Sequence, residues 1–303
     1  LWMGSGTEME YVNDSYKDDR IGNAVFHDRD KTNVEVLRGG LRLIRESAGP
    51  GVFLLGCNAP QNMRSYGGAF GLVDAMRIGP DNGPAWNRLL RGPIYGARHY
   101  HLHGRIWYND PDPLYVRAAL PLNQARMIAS WVTVSGQLSV SSEDYAELPP
   151  ERLDLLKRTM PSHRRSARPV DLFEEDIPRI WVVNDARRSP RRDVVGLFNW
   201  GTEPAEFDEP LERLELAGSG SYMAYEYWTN RLVGPLEDRL QLTLPPAVKK
   251  GKDKEPAATE AENSCAVLSL CPIADHPRVI STSRHITQGI IDLVNETWDA
   301  GSR

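Results

Sequence analysis

The chain has 303 residues, and its 36 lysines and arginines stand against 41 aspartates and glutamates, giving a formal net charge of −5. This nearly balanced charge argues against a nucleic-acid-binding surface, which needs an excess of clustered lysine and arginine. No apolar run approaches the roughly 20 residues that span a bilayer. Hydrophobic residues make up 41% of the chain, the composition of a globular protein. The length predicts one large domain, or a large domain with a smaller one.

The three cysteines are Cys57, Cys265 and Cys271. They are too few for a disulfide framework and too dispersed for a structural zinc site. Cys265 and Cys271 could pair or remain free thiols, so the cellular compartment stays open. Because residue 1 is leucine and no signal segment follows it, we expect the natural N-terminus to lie upstream.

Residues 32–159 alternate predicted helices with predicted strands. Apolar residues at helical spacing predict a helix at residues 32–48, which Thr32 or Asn33 caps and Gly49 ends. The apolar run at residues 52–55 lies between glycines and predicts a strand that is buried on both faces. The other predicted elements are strands at residues 72–78, 105–108 and 137–141, and helices at residues 84–97 with a break at Pro93, 120–134 and 149–159. Strand alternating with helix predicts a parallel α/β sheet.

After about Pro161 the pattern changes to short runs rich in β-branched and aromatic residues. The clearest of these runs are residues 180–183, 194–200, 222–228 and 266–270. They predict an antiparallel β domain, so we expect one domain at residues 1–162 and a second at residues 163–303. Residues 248–264 are charged and lack large apolar groups, which predicts a mobile surface loop.

Candidate functional residues follow the predicted strands of the first domain. In a parallel α/β barrel the active site lies where the strands end. The residues that this rule selects are Cys57, Arg77, Asp81, Asn109, Asp110 and Asp112. Polar groups at the ends of apolar runs are costly unless something binds there, which favours a functional site at these positions.

Asp81 has two interpretations. It follows Arg77 by four residues, with Gly79 and Pro80 bending the chain between them. Its carboxyl could serve as general acid and base, because burial and neighbouring charges tune its proton affinity. Alternatively, Asp81 caps the helix predicted near residue 84 with Arg77 as its ion-pair partner, since aspartate is common before a helix. The residues alone leave both interpretations open.

Two further features would suit a sugar-binding site. The segment Asn-Asp-Pro-Asp-Pro at residues 109–113 could bind a cation or a sugar hydroxyl, although such clusters also form turns and caps, the interpretation we favour. Flat tryptophan rings stack on sugar faces, but most tryptophans serve the core. Among the eight tryptophans, Trp86 and Trp107 lie beside the candidate loops.

His99, His101 and His103 alternate along the chain. An extended segment would place all three imidazoles on one face, and metallohydrolases use pairs of this kind. Against this, no carboxylate ligand accompanies them, and the segment enters a strand at its N-terminal end, opposite to the face where barrel chemistry lies. We therefore favour histidines packed beneath the sheet over a metal site, and we predict no metal and no cofactor.

Several segments carry a family resemblance. LLGCNAP at residues 54–60, GLVDAMRIGPD at 71–81 and GRIWYNDPDP at 104–113 closely resemble α-galactosidases of glycoside hydrolase family 36 and their relatives in the same clan, which includes family 27. SGQLSVSSED at residues 135–144 resembles the last barrel strand of these proteins and its loop. VVGLFNW, YEYW and STSRHITQG resemble parts of the β domain that follows the barrel, so the similarity runs from about residue 1 to residue 298.

This resemblance implies a (β/α)8 barrel and retaining hydrolysis of terminal α-galactosides. One aspartate forms a covalent glycosyl-enzyme, and a second acts as acid and then as base. By resemblance Asp81 is the acid and base, Arg77 holds sugar hydroxyls or orients the neighbouring carboxylate, and Cys57 lines the pocket. Retaining enzymes need two carboxyls about 5 Å apart, of which Asp81 supplies one.

The family nucleophile lies in a Lys-x-Asp motif that would fall directly before Leu1. The resemblance therefore implies the C-terminal half of a (β/α)8 barrel, followed by an antiparallel, β-sandwich-like domain. Because a half-barrel exposes apolar sheet edges, we expect these residues alone to be poorly soluble and inactive. The alternative is a non-catalytic carbohydrate-binding protein or degenerate paralogue that keeps the pocket without the nucleophile.

Overall fold

The structure is a computed structural model, and it describes residues 26–57, 66–163, 165–185, 190–216, 220–250, 256–259 and 263–301. Within these ranges no helix has the length and apolar character needed to cross a membrane. The first part of the chain mixes helices with parallel strands, and the second part is built from antiparallel strands.

The first part contains a three-stranded parallel sheet in the order β1–β2–β3. Its strands are β1 (Leu55–Gly56), β2 (Ala75–Arg77) and β3 (Tyr108–Asp110), and its helices are α1 (Asn33–Ala48), α2 (Tyr66–Ala69), α3 (Trp86–Leu89), α4 (Arg91–Arg98), α5 (Leu122–Ser135) and α6 (Pro150–Thr159). Thr32 caps α1 as predicted, because its hydroxyl accepts from the Glu35 N–H while the Glu35 carboxylate accepts from the Thr32 N–H.

The strand predicted at residues 52–55 is shorter and less buried than expected. Val52, Phe53 and Leu55 are 46%, 55% and 44% exposed. In the described part of the chain β1 pairs with β2 alone, so it is an edge strand of this sheet. A continuous apolar run is typical of a strand that is covered on both faces. The prediction of burial on both faces was wrong for these residues.

Two other predicted elements differ from the structure. The helix predicted at residues 84–97 breaks at Leu90, between α3 and α4. Pro93 lies in the first turn of α4, where its missing N–H leaves no helical bond unmade. Residues 137–141 form no regular strand, although Leu138 N donates to Asn109 O over 2.8 Å and Leu114 N donates to Val140 O over 2.8 Å. This segment thus runs beside the end of β3 with a single bridge, Leu114 to Ser141.

The second part is centred on a six-stranded sheet in the order β4–β5–β6–β13–β8–β9, whose paired strands are all antiparallel. The strands of this part are β4 (Arg168–Pro169), β5 (Ile180–Asp185), β6 (Arg192–Phe198), β7 (Ala205–Pro210), β8 (Tyr222–Glu226), β9 (Arg231–Leu232), β10 (Arg239–Leu244), β11 (Val248–Lys250), β12 (Pro256–Ala258) and β13 (Cys265–Pro272). A separate ribbon pairs β7 with β10, and apolar residues from the ribbon and the large sheet share one core.

Within the segment predicted as a mobile loop at residues 248–264, residues 248–250 and 256–258 form two paired strands, and residues 251–255 and 260–262 lie outside the described residues. Its strands β11 and β12 pair antiparallel, with Val248 opposite Ala258 and Lys250 opposite Pro256. Charged and alanine-rich composition argues against a packed core, but backbone hydrogen bonds need no apolar side chains. At the end of this segment, Cys265 and Cys271 are buried free thiols on β13, which answers the question of their pairing.

Helix α5 joins the two parts into one core. The Trp131 ring on α5 meets the Trp181 ring on β5 edge to face, with 5.8 Å between centroids. Asn123 on the same helix exchanges two hydrogen bonds with Ser264, each 2.9 Å long. Both contacts are buried, so the parallel sheet and its helices are packed directly against the antiparallel sheet.

Residues 273–301 have no regular secondary structure and are held by Arg192 of β6. The Arg192 guanidinium is buried and donates to the carbonyls of Val279 over 2.6 Å, of Ile280 over 3.0 Å and of Gln288 over 3.0 Å. It also pairs with the Glu296 carboxylate at 3.3 Å. One buried cation thus holds four points along this C-terminal segment.

Candidate active site

The candidate residues meet at the carboxyl edge of the parallel sheet. Strands β2 and β3 pair in register, with Arg77 opposite Asp110, so both strands end at the same level. Asn109 and Asp110 belong to β3 itself and are buried, whereas the sequence placed them after the strand. The parallel pairing therefore brings Arg77 together with Asp110.

Arg77 is shared by three carboxylates. Its Nη1 lies 2.9 Å from Asp81 Oδ1, its Nε lies 3.6 Å from Asp110 Oδ2, and its Nη2 contacts Asp112 Oδ1. The Arg77 side chain is 14% exposed and those of Asp110 and Asp112 are 5% exposed, whereas that of Asp81 is 82% exposed. The cluster presents one accessible carboxylate beside a largely buried arginine and two buried carboxyls.

The two buried carboxyls are harder to ionise than a free aspartate. Burial raises the pKa of Asp110 against the hydrogen bond from the Asp112 N–H and the charge of Arg77. Burial likewise raises the pKa of Asp112, opposed by the hydrogen bond from the Asn82 N–H and by Arg77. Because Arg77 is shared, it offsets the negative charge of each carboxylate only in part. Acidic groups therefore outnumber this arginine at the edge of the sheet.

The turn at residues 109–113 belongs to the candidate site. Asp112 has φ +80°, a left-handed conformation that aspartate tolerates better than most residues, and its N–H donates to Asp110 Oδ1 over 2.9 Å. This local turn points both carboxyls at Arg77. The segment is thus a turn, as favoured, and also part of the candidate site.

Asp81 does not cap a helix. Helix α3 begins at Trp86, and its N-cap residue, Ala85, makes no side-chain capping bond. The ion pair with Arg77 that the capping interpretation required is present, but it holds Asp81 at the sheet edge. The interpretation of Asp81 as a site carboxylate is the one that its position favours.

Cys57 follows β1 at the same edge of the sheet. Part of its surface is exposed, yet partial burial raises the pKa of its thiol, and the charge of Arg77 opposes this. The carboxylates of Asp110, Asp81 and Asp112 act on the thiol in the same sense as burial. The three sequence candidates Cys57, Arg77 and Asp81 therefore share one electrostatic environment.

Sequence reasoning missed two residues that hold this loop. Asn82 is buried, and its N–H donates to Asp112 Oδ2 over 2.6 Å. Arg91, the first residue of α4, donates from Nη1 to the Asp81 carbonyl. An asparagine next to glycine usually indicates an exposed turn, so no sequence signal distinguished Asn82.

The three histidines do not share a face. Residues 100–102 form a 3₁₀ turn, which leaves His101 exposed and buries His99 and His103. The Asn109 N–H donates to His103 Nδ1 over 3.0 Å, and the Asn109 side-chain amide donates to His99 O over 2.8 Å. The extended geometry that the disfavoured metal site would need is absent, and no group of three or more potential metal ligands is found within the described ranges.

The buried His103 side chain should make the fold less stable in acid. Burial lowers the pKa of His103 to about 4 from 6.5. A histidine whose pKa is lowered by folding stabilises the fold above pH 6.5, and this contribution is lost as the pH falls toward 4. The lowering corresponds to about 3 kcal/mol. Chemical unfolding at pH 7 and pH 4.5 should therefore show a smaller acid loss in His103→Asn than in the wild type.

The matched control for this prediction is His101→Asn, because His101 is exposed on the same turn. It should show the full acid loss of the wild type. Asp110 and Asp112 titrate in all three proteins and cancel in the comparison. His103 also contributes to lowering the pKa of buried His163, so that effect is lost together with His103. An equal acid loss in His103→Asn and the wild type would contradict a neutral His103.

The candidate tryptophans are core residues. Trp107 is buried and donates from Nε1 to Asn109 Oδ1 over 3.1 Å. Trp86 is buried and lies 6.2 Å from the Trp200 ring. Both rings belong to hydrophobic cores and support the strands and helices that carry the site.

A cavity of about 560 Å³ lies at the other end of the sheet. Phe53, Asp74, Gly104 and Ile106 line it, and these residues precede the carboxyl ends of the strands. In parallel α/β folds this end serves stability, and catalysis belongs to the opposite end. The clustered charges at Arg77 therefore identify the candidate site better than cavity size does.

Comparison with solved structures shows the fold. No protein-family model matches the chain. It is similar to a family 27 β-L-arabinopyranosidase from Geobacillus stearothermophilus, with TM-score 0.62, 15% identity, and coverage of 82% of this chain and 56% of that one. An α-galactosidase from Mortierella vinacea gives TM-score 0.59, 12% identity, and coverage of 78% and 62%. The α-galactosidase of Saccharomyces cerevisiae gives TM-score 0.56, 12% identity, and coverage of 82% and 71%.

The chain therefore has an α-galactosidase-like glycoside hydrolase fold, as the sequence resemblance predicted. It spans less than two thirds of the length of the first two structures, so this is a partial α/β glycosidase fold. Family 27 is the family named for the arabinopyranosidase, and the resemblance to family 36 in particular stays a prediction.

Proposed function

We propose that the chain belongs to a retaining glycoside hydrolase that removes terminal α-galactosyl groups, with Asp81 as general acid and base. The observation that carries this proposal is the exposed Asp81 carboxylate, paired with the largely buried Arg77 at the carboxyl edge of a parallel sheet. The fold supports it, because the structures that share this fold are described as α-galactosidases and a β-L-arabinopyranosidase.

The architecture we propose is the C-terminal half of a (β/α)8 barrel at residues 1–162, followed by an antiparallel β domain at residues 163–303. Strands β1, β2 and β3 would be consecutive barrel strands, and the segment at residues 137–141 would be the last. The partial coverage of the related structures and the exposed apolar residues at and just before β1 support this arrangement. Residues 1–303 alone would then be inactive.

The proposed chemistry follows from the charges at the site. Asp81 in its protonated form would give a proton to the departing glycosidic oxygen, and as a carboxylate it would then take a proton from the attacking water. Arg77 would hold the carboxylate in place and contact sugar hydroxyls, and Cys57 would line the pocket. The covalent intermediate would form on an aspartate of a Lys-x-Asp motif upstream of Leu1.

The substrate class comes from the structures that share the fold. One neighbour was solved with arabinose and another with raffinose, an α-galactoside. We therefore propose a terminal α-galactoside or a closely related pyranoside as the substrate. Non-catalytic carbohydrate binding is the competing proposal, which is favoured by one observation: the described part of this edge holds one accessible carboxylate, Asp81, where hydrolysis needs two.

The test is hydrolysis of melibiose by the full-length polypeptide, followed by proton NMR of the released sugar. We expect the first product to be α-galactose, because double displacement retains the anomeric configuration. Titration calorimetry with galactose completes the experiment. Binding without turnover, or an upstream sequence without Lys-x-Asp, would reject the hydrolase proposal in favour of carbohydrate binding.

A further inference from the structure

The loop that carries Asp81 is anchored by the next residue. Asn82 is 7% exposed, whereas the Asp81 side chain is 82% exposed. The Asn82 N–H donates to Asp112 Oδ2 over 2.6 Å, and its side-chain amide donates to Pro113 O over 3.0 Å, with Pro111 O at 3.5 Å. Asn82 thus attaches the loop after β2 to the turn after β3.

Two arginines also hold Asp81, one at its backbone and one at its carboxylate. Arg91 donates to the Asp81 carbonyl, and Arg77 Nη1 lies 2.9 Å from Asp81 Oδ1. Asp112 takes part in both sets of contacts, because one oxygen accepts from the Asn82 N–H and the other pairs with Arg77. The backbone at Asp81 is therefore fixed, although its carboxylate is open to solvent.

We infer that Asn82 is a positioning residue for Asp81, an inference that rests on the function proposed above. Asn82 directs its polar groups into the turn at residues 111–113, so it acts on the reaction through the place of Asp81. A general acid must come within about 2.6–3.2 Å of the atom that it protonates. A misplacement of about 1 Å can lower a rate by about 10²-fold.

The test compares leaving groups in the full-length Asn82→Ala protein. Melibiose has a poor leaving group that needs the proton, so we expect its kcat/KM to fall by about 30- to 100-fold. The kcat/KM for 2,4-dinitrophenyl α-galactoside should change by less than about threefold, because this leaving group departs without a proton. Azide, a nucleophile that needs no general base, should restore any loss of kcat on the aryl substrate.

Asn87→Ala is the matched control, because Asn87 is an exposed asparagine on α3 and should leave both substrates unaffected. If Asn82→Ala does not fold, Asn82→Ser, which shortens the side chain but keeps a donor, carries the same comparison. Equal losses on both substrates, or no loss on either, would overturn the positioning role. Normal melibiose hydrolysis by Asp81→Asn would refute the proposed function itself, and if only Asp81→Asn is impaired, only the role of Asn82 fails.

Discussion

Asp81→Asn in the full-length polypeptide is expected to lower kcat/KM for melibiose by about 10²- to 10⁴-fold, the usual contribution of general acid catalysis. The asparagine keeps the size of the side chain but has no proton to give at the glycosidic oxygen. The Asp81 side chain is largely exposed, so the change should leave the fold intact. Steady-state kinetics on melibiose and on an activated aryl galactoside measure the effect.

The two substrates separate proton donation from other roles of Asp81. An aryl galactoside with a good leaving group should lose much less in kcat/KM, because glycosylation then needs little proton transfer. Asp238→Asn is the control, because Asp238 is an exposed carboxylate in the second part of the chain. Equal losses on both substrates would show that Asp81 binds substrate or supports the site and is not the acid.

Arg192→Met should reduce the free energy of unfolding by about 3–5 kcal/mol, the usual effect of removing one partner of a buried ion pair. Methionine preserves much of the apolar stem but removes the guanidinium bonds to the carbonyls of Val279, Ile280 and Gln288. The Ile280 carbonyl keeps the bond from the Ser269 hydroxyl. Urea unfolding gives the loss, and hydrogen exchange should show residues 279–296 opening first. Amides in strand β10, which pairs with β7 in the separate ribbon, serve as the internal reference.

The control for this change is Arg231→Met, because Arg231 is exposed on β9. Exposed substitutions of this kind usually change stability by less than about 0.5 kcal/mol. A loss of similar size in both variants would mean that Arg192 does not hold the C-terminal segment. Unchanged exchange in residues 279–296 would lead to the same conclusion.

Local patterns in the sequence predicted the elements that depend on local interactions. Helix α1 follows from apolar spacing and the Thr32 cap, and α5 and α6 lie within a few residues of their predicted positions. The ends of β3 could not be predicted in the same way. Asp110 is in the strand because it pairs opposite Arg77, a contact between residues that are distant in the sequence.

The sequence predicted which residues form the candidate site, but it did not predict which of them are buried. Arg77, Asp81, Asp110 and Asp112 were all candidates, but the sequence gives no means of telling which carboxyl reaches solvent. That difference arises where two loops pack together through Asn82, a non-local contact. Similarly, the alternation of His99, His101 and His103 suggested a strand, whereas the chain closes a short turn there.

The shared core around α5 has a mechanical consequence. Trp131 packs on Trp181, and Asn123 is bonded to Ser264, so the α/β part and the antiparallel sheet bury the same helix. Separating the two parts would expose an apolar face of α5 and break two hydrogen bonds. The change from parallel to antiparallel structure near residue 162 therefore does not separate two units that unfold independently. Heat or denaturant should unfold both parts in one transition.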